Sequence, residues 1–524
     1  MNIKKFKFRI FWIAFSFVVI LVIVLFELII ITSTDTLQVQ YIPDDAYYYF
    51  TLAKNFTNFG LWTFDSGHSV TSGFHPLLAF LLAFFYWITK PSTYEFVQFG
   101  IIFSSLITII TLFIVWKFCL KFNKPYYMLI FTLLVSSKNF IYNSVSGMEW
   151  SLVVLLSSLY CITLWHSYFS DRYIINAKII FLLGFAGSLA RSDFGLIPLS
   201  CLFFCLFLTK IDNNKKISFI AFWGFLGSGF GVLFIFLHNY IFTRKIFQSS
   251  AMIKAYWSQI YGSNYRGILK LIASILGIEA VNLQFLAYIL GATLIFSPLI
   301  ISIIKKPRKI LTSKESIPGL PLLVAAFFCC SGYLLYYSRN AALQPWYSAN
   351  LILSFYIIIL GLFIFADRIL EKKFPIRVVS IVAVLIIISN LFGLYPISDS
   401  NSIWPHQKSM LNAGKYLSQQ EIDGQVGSWN AGILGYYQGG SVINLDGLVN
   451  NDIYDYATTN RLPVYISDNH IKYILDFENM ITENKRRKKG GYDDMEFIAR
   501  LKPIKVFGDG NYYWKHMTLY EIKP

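Results

Sequence analysis

The chain has 524 residues, 56% of them hydrophobic and only 14% charged, with six cysteines and a formal net charge of +16. Soluble domains carry about 25% charged residues, so the composition excludes a soluble globular protein and points to a polytopic α-helical membrane protein. The charge is not a nucleic-acid signature: residues 397–524 hold 14 Lys+Arg against 15 Asp+Glu, and the basic excess lies in loops of the first 396 residues, where it sets orientation.

The N-terminus is basic up to Arg9 and is followed by an apolar run over 11–31. That run is too long for a signal-peptide core and lacks a small-residue cleavage site, so it reads as an uncleaved anchor. A span needs roughly 20 apolar residues to cross about 30 Å. Eleven are expected, at 10–31, 96–118, 125–142, 150–168, 176–190, 194–209, 217–242, 285–304, 319–338, 346–366 and 377–396. A shorter apolar stretch, 76–90, begins at Pro76. If it does not cross, the connections on the N-terminal side hold 21 Lys+Arg in short segments, and the opposite set holds far fewer over many more residues. The positive-inside rule then places the N-terminus in the cytoplasm and the C-terminus outside. The stretch 76–90 is therefore expected to be a re-entrant or interfacial helix within an outer loop, 32–95.

Beyond the membrane domain (1–396), turn residues multiply. Residues 425–429, 441–445 and 471–475 read as buried strands, 431–437 and 450–459 as helices, and 512–522 as a final strand or hairpin. The tail, 397–524, is expected to be an extracytoplasmic α/β domain. The basic run Lys485 to Lys489 reads as a solvated loop. The six cysteines lie in or beside apolar stretches and form no disulfide framework or CxxC pattern.

With this topology the polar residues at span ends gather on the outer side: Asp44, Asp45, His68, His75 and Glu149, then Arg191, Asp193, Arg244, Lys254, Arg339, Gln344 and Trp346. An adjacent acidic pair at the mouth of a membrane protein is costly to desolvate, which makes it a functional candidate. The structural alternative is a helix cap, with Asp44 or Asp45 ahead of an amphipathic helix from Ala46 to Asn58. Glu149 could be a helix-dipole partner, Arg191 and Asp193 a simple pair, and Trp346 an interfacial anchor. His68 and His238 read as structural or exposed polar residues. Carboxylates mixed with Arg and Lys suit an anionic lipid head group reacting with a hydroxyl or amine: the cations neutralise phosphate and a carboxylate takes the acceptor's proton.

These residues resemble the GT-C glycosyltransferases, which use polyprenyl-phosphate-linked sugars. The superfamily includes protein O-mannosyltransferases, lipid A aminoarabinose transferases, arabinofuranosyltransferases and oligosaccharyltransferase catalytic subunits. Asp44-Asp45-Ala46-Tyr47 with Thr71-Ser72-Gly73-Phe74-His75-Pro76-Leu77 is similar to the DDAYY…TNGFHPLW pattern of a bacterial group within it. Gly147-Met148-Glu149 and Leu189-Ala190-Arg191-Ser192-Asp193 are similar to its GMET and LARPD segments, and Asn444 to Asn450 to an element of its tail domain. Ser72, Ser192 and Trp150 depart from the pattern without removing catalytic chemistry.

The resemblance implies about 11 transmembrane helices in a GT-C arrangement and inverting sugar transfer at the outer face of a bacterial inner membrane. The donor would be a polyprenyl-phosphate-linked sugar entering from the bilayer, and the acceptor an envelope glycan, lipid or protein. Asp44 would be the base and Asp45 its positioning partner or alternate. His75, Glu149, Arg191, Asp193, Arg244, Lys254 and Trp346 would bind substrate, with Arg191, Arg244 and Lys254 on the lipid phosphate. No cofactor is required, because the spaced acidic metal pattern of oligosaccharyltransferases is not matched; Asp44, Asp45 and Glu149 could in principle hold a divalent cation. The competing readings are a transporter or lipid-linked oligosaccharide flippase, which would show internal repeats and broken midplane helices, and a scaffold whose tail binds a partner.

Overall fold

The computed structural model describes residues 3–524 apart from 123, 169, 171, 213–214, 263, 277–318, 340–342, 371–375, 396, 399–401, 421, 509, 511–512 and 515. Among the described residues, six helices are long and apolar enough to cross a membrane: Phe8–Thr32, Thr93–Leu120, Trp150–Ser167, Tyr173–Ala190, Lys215–Thr243 and Pro345–Ile364. Shorter apolar helices occupy Pro125–Ser136, Ser192–Leu206, Ala326–Tyr337 and Arg377–Phe392, where further spans are expected. The expected span 285–304 lies outside the described residues.

The expected span 125–142 is not one helix. It breaks at Ser137, which has ψ 136° and whose hydroxyl accepts the Phe140 N–H, starting a second helix, Lys138–Ser144. A serine between two apolar runs offers the backbone this local bond in place of the helical one. The helix Pro76–Thr89 has Pro76 in its first turn and 14 residues. At 1.5 Å per residue it spans about 21 Å, short of the hydrocarbon core. Leu78, Ala79 and Leu82 are buried, while Phe84, Trp87 and Ile88 face outward.

Two of the long helices approach closely through small residues. A Cβ on Gly184 would lie 2.3 Å from the Gly224 carbonyl oxygen, and one on Gly227 would lie 2.1 Å from the Phe181 carbonyl oxygen. Ser188 and Ser228 hydrogen-bond across the same seam at 2.6 Å. In lipid, where apolar burial favours no particular helix pair, this close backbone contact supplies the association.

The tail holds a five-stranded sheet of β1 (Gln425–Ser428), β2 (Val442–Asn444), β3 (Ile471–Phe477), β4 (Leu501–Phe507) and β5 (Met517–Ile522), in the order β2-β1-β3-β5-β4. β1 pairs in parallel with β2 and β3; β5 runs antiparallel to β3 and β4. β4 is a strand that the sequence patterning does not predict. The loops after β1 and β2 leave the carboxyl ends of parallel strands, the usual place for sites in such sheets, and both face the membrane domain. Asp476, at the end of β3, accepts the backbone N–H groups of Trp429 and Asn430 at 2.7 and 3.0 Å, which fixes the first of these loops. Further ties run from the Trp404 N–H to the Gln40 carbonyl at 2.9 Å and between Lys415 and Asp35.

The helix seam carries a test. Gly227→Leu forces a side chain into backbone and is expected to destabilise the detergent-solubilised protein by more than the ~1–3 kcal/mol of ordinary overpacking. Gly229 has nothing within 4 Å of its would-be Cβ. Gly229→Ala should leave stability unchanged or raise it by up to about 1 kcal/mol, read as the midpoint of thermal unfolding.

Candidate active site

The acidic pair is set by the start of one helix. Pro43 holds extended backbone, and the helix Asp44–Phe59 begins immediately after it. Both aspartates therefore lie in the first turn, where negative charge suits the helix dipole. Neither is the cap, contrary to the capping alternative: that position is Pro43, and the helix begins at Asp44 rather than Ala46. Successive helical residues point about 100° apart, so the two carboxyl groups diverge. Asp44 faces the tail, where its Oδ1 accepts the Ile433 N–H at 2.6 Å and its Oδ2 accepts the Gly432 N–H at 3.3 Å. Asp45 faces a cavity of about 320 Å³ beneath the tail.

That cavity gathers seven of the nine candidates. Asp45, His75, Glu149 and Arg191 line it together with Asp193, Lys254 and Trp346. All but Lys254, which lies midway along the helix Ser249–Tyr261, come from the start or end of a helix, so the site is assembled from many segments at one end of the bundle. Arg191 is its ionic centre. Its guanidinium donates to Glu149 Oε1 at 2.9 Å and, through Nε and Nη2, to both carboxylate oxygens of Asp193 at 3.0 and 2.9 Å. Asp193 also accepts from the Tyr337 hydroxyl at 2.7 Å and from Asn350 Nδ2 at 2.8 Å. The anticipated Arg191–Asp193 pair is thus real, but it belongs to a larger buried network. Lys254 Nζ donates to the Tyr347 hydroxyl at 3.0 Å, and the Arg191 guanidinium lies 5.0 Å from the centre of the same ring. Trp346 and Tyr347 are both buried in the site, not anchored at a lipid interface.

Burial governs the titration of these groups. It raises the Asp45 carboxyl above its usual range; Lys254 opposes the shift and Glu149 adds to it. Burial pulls His75 down to about 4, although Glu149 acts the other way, so the imidazole is neutral near pH 7. Burial pushes the Asp193 carboxyl up, but Arg191 and the Tyr337 hydroxyl outweigh it and hold the group at about 2. The Lys254 ammonium is kept above its ordinary value: burial lowers it, and Tyr347 and Asp45 more than compensate.

A smaller cavity of about 210 Å³ lies on the other side of Asp45, between the membrane domain and the tail. The two cavities share Asp45, Tyr48, Lys254 and Leu448 as a common wall. The smaller one is also lined by Asp44, Gln344, Asp446 and Lys489. Lys489 corrects the reading of residues 485–489 as a purely solvated run: the last lysine turns inward, with Nζ 3.6 Å from the centre of the Trp257 ring. Asp446 is a turn residue, its Oδ1 accepting the Leu448 N–H at 2.7 Å, and it is also part of this wall. Tyr48, Tyr49 and Gln248 are site residues that the charge pattern does not reveal; the tyrosine run after the acidic pair is the one signal that points to the first two.

Two candidates are not brought to the larger cavity. Arg244 follows the end of the helix Lys215–Thr243, is exposed, and lies over Tyr240 at 5.7 Å. Its placement gives no support to a phosphate-binding role. Asp44 is committed to the tail, so the trio Asp44, Asp45 and Glu149 does not converge. Among the described residues no group of three or more His, Cys, Asp or Glu side chains is placed to hold a metal ion. His68 sits outside the site against Gln425, at 3.2 Å.

A family model described as a domain of unknown function (DUF8728) matches residues 401–520, most of the tail. No curated protein matches the sequence. Solved structures do match the fold. ArnT from Cupriavidus metallidurans bound to undecaprenyl phosphate aligns with a TM-score of 0.55 and 9% identity, over 96% of this chain and 97% of that one. The archaeal oligosaccharyltransferase AglB from Archaeoglobus fulgidus, in complex with an inhibitory peptide and a dolichol-phosphate, aligns with a TM-score of 0.53 and 13% identity, over 95% and 74%. At such identities the likeness shows the fold alone: this chain, with several helices long and apolar enough to cross a membrane, shares the overall architecture of those two proteins.

Proposed function

We propose that the chain transfers a glycosyl group from a polyprenyl-phosphate carrier to a cell-envelope acceptor, with inversion, and that Asp45 is the base. The observation that supports this reading best is the shared wall. Asp45 faces two cavities at once, one of which gathers Arg191, Arg339 and Lys254. A donor phosphate in that cavity meets these cations, with the neutral His75 beside them. An acceptor hydroxyl arriving from the other side meets the Asp45 carboxylate. As the acceptor oxygen bonds to the anomeric carbon, its proton passes to Asp45; the bond from that carbon to the carrier's phosphate oxygen breaks, and the electron pair leaves on the phosphate, held by Lys254 and Arg191. Attack opposite the leaving group inverts the anomeric carbon.

The Arg191–Glu149–Asp193 network positions this machinery. Glu149 and Asp193 hold the guanidinium beside the Tyr347 ring, and Tyr347 in turn holds Lys254. Arginine suits the task because its fork engages two carboxylates at once and keeps N–H groups for an anion. The resemblance assigned the base to Asp44. We assign it to Asp45, because both oxygens of Asp44 are engaged by backbone N–H groups of the tail.

The two aspartates separate in experiment. Asp45→Asn is expected to lower transfer by about 10²–10⁴-fold without loss of folded protein. Asp44→Asn keeps an oxygen for the Ile433 N–H and should stay within about tenfold of the unsubstituted rate. The opposite ranking would remove Asp45 from the role. Because burial raises the Asp45 carboxyl and the deprotonated form is the active one, transfer should fall on acidification through a value above the ordinary ~3.9, an acid limb absent from the residual activity of Asp45→Asn. We place the tail in the extracytoplasmic space on the basis of the charge asymmetry between the two sets of loops. A cysteine replacing the exposed Asp468 should therefore react with a membrane-impermeant maleimide in intact cells whose outer envelope has been opened; labelling only after lysis reverses the orientation.

A further inference from the structure

The smaller cavity differs in chemistry from the larger one. Its walls carry three indoles, Trp257, Trp429 and Trp514, with Leu448 and Met480 as the aliphatic lining. That is too little hydrocarbon surface to take an acyl or prenyl chain. Three carboxyl groups, Asp44, Asp45 and Asp446, face two ammonium groups, Lys254 and Lys489. With Asp44 tied to the tail, Asp45 and Asp446 stand against two ammonium groups, and this even mixture suits a neutral guest bearing both hydrogen-bond donors and acceptors.

The indoles are fixed before any guest arrives. Trp429 stacks on Tyr492 with ring centres 4.0 Å apart, Trp257 carries the Lys489 ammonium at 3.6 Å, and Trp514 lies under the Arg486 guanidinium at 4.2 Å. One polar group is left over. Trp429 is 2% exposed, yet its Nε1–H has no partner among the described residues. The Gly490 backbone lies against that nitrogen: a Cβ on Gly490 would lie 3.0 Å from it. A buried indole N–H without an acceptor costs free energy unless something supplies an oxygen. A polyol in the cavity would supply it.

We infer that this cavity binds a sugar ring of the acceptor, so that the group glycosylated is a carbohydrate hydroxyl presented to Asp45 from the tail side. The inference rests on the transferase reading above and narrows its acceptor class. Asp446 and Lys489 contact ring hydroxyls, Trp429 Nε1 donates to one of them, and the indoles meet the ring's C–H faces. The tail thereby becomes the part of the molecule that selects the acceptor. Room for a ring-sized group rather than an extended chain favours a saccharide over a peptide.

The test uses the full-length protein in lipid nanodiscs and two kinds of probe. Undecaprenyl phosphate reports on the larger cavity; a panel of methyl glycosides of hexoses, pentoses and N-acetylhexosamines reports on the smaller one, with an acetylated tripeptide set as comparison. At least one glycoside should bind, and Trp429→Phe and Asp446→Asn should each weaken it by about tenfold. Their affinity for undecaprenyl phosphate should be unchanged, which also shows that the variants are folded. Trp429→Phe keeps a ring to stack on Tyr492 and removes only the N–H. Binding of no glycoside, equal binding by both variants, or preference for a tripeptide that Asp446→Asn abolishes overturns the saccharide site. Failure of the unsubstituted protein to bind undecaprenyl phosphate instead overturns the transferase reading beneath it.

Discussion

The joint between Asp44 and the start of the helix Gly432–Gln438 holds the site together. Asp44 Oδ1 accepts the Ile433 N–H at 2.6 Å, and Gly432 lies so close that a Cβ there would sit 2.3 Å from the Asp44 carbonyl oxygen. The tail's loop can reach the acid only because residue 432 has no side chain. A second contact mirrors it: a Cβ on Gly73 would lie 1.6 Å from the Leu448 carbonyl oxygen. Around that point the Asn451 side chain pairs with the Ser72 N–H at 3.0 Å, and the Ser249 hydroxyl donates to the Leu448 carbonyl at 3.0 Å. Two glycines, one on each side of the joint, allow backbone to meet backbone, and both cavities exist because the tail is seated there.

This arrangement explains why an acidic pair is needed rather than a single acid. One carboxyl locks the tail, and its neighbour, turned about 100° away, faces the larger cavity. Tyr48, one turn further on, does both: its hydroxyl accepts the Asn444 Nδ2–H and Ala431 N–H groups of the tail, each at 3.3 Å, and its ring lines both cavities. The tail is therefore not an accessory placed over a finished site. It contributes Leu448 to the common wall and Asp446 and Lys489 beyond it.

Much of this was legible in the sequence because the motifs carry polar residues where lipid-facing segments cannot. Asp45, His75, Glu149, Arg191 and Asp193 stand at helix ends and converge, joined by Lys254 from within the helix Ser249–Tyr261. Arg244 shares that property but not the direction: it follows its helix with φ 57° and turns to Tyr240. Lys489 was hidden within a basic run that hydropathy reads as solvated, although Arg486 and Arg487 in the same run are also drawn inward, onto Glu483 and Asp493. The break at Ser137 falls where Ser136-Ser137-Lys138-Asn139 interrupt the apolar run, and hydropathy averaged over a span-length window smooths that interruption away because apolar residues resume at Phe140. β4 escaped because its five central residues are exposed, leaving no alternation to detect. Two of the departures from the family pattern also acquire a local reason. Ser72 bonds to Asn451 across the joint, and the Trp150 indole donates to Ser348 at 2.9 Å. Glu27, buried within the first long helix, passed unnoticed in the sequence because a single acid hardly changes the hydropathy of a 25-residue span.

The joint also couples tail seating to proton binding. Burial raises the Asp44 carboxyl to about 8; the Ile433 N–H opposes this and the neighbouring Asp45 adds to it. A carboxyl whose folded value lies above its unfolded one favours the folded arrangement most fully at pH below the unfolded value, and that contribution is lost as pH rises through the folded value. Near neutrality Asp44 therefore sits in the joint largely as the neutral acid. This is the state in which it can accept the Ile433 N–H without placing a second negative charge beside Asp45 and Asp446. Alkaline conditions should loosen the tail before they affect the cations of the larger cavity, because burial and its partners keep Lys254 charged to still higher pH. On the proposed transferase reading, the division of labour within the pair follows from what each carboxyl faces: Asp44 the backbone of the tail, Asp45 the two cavities.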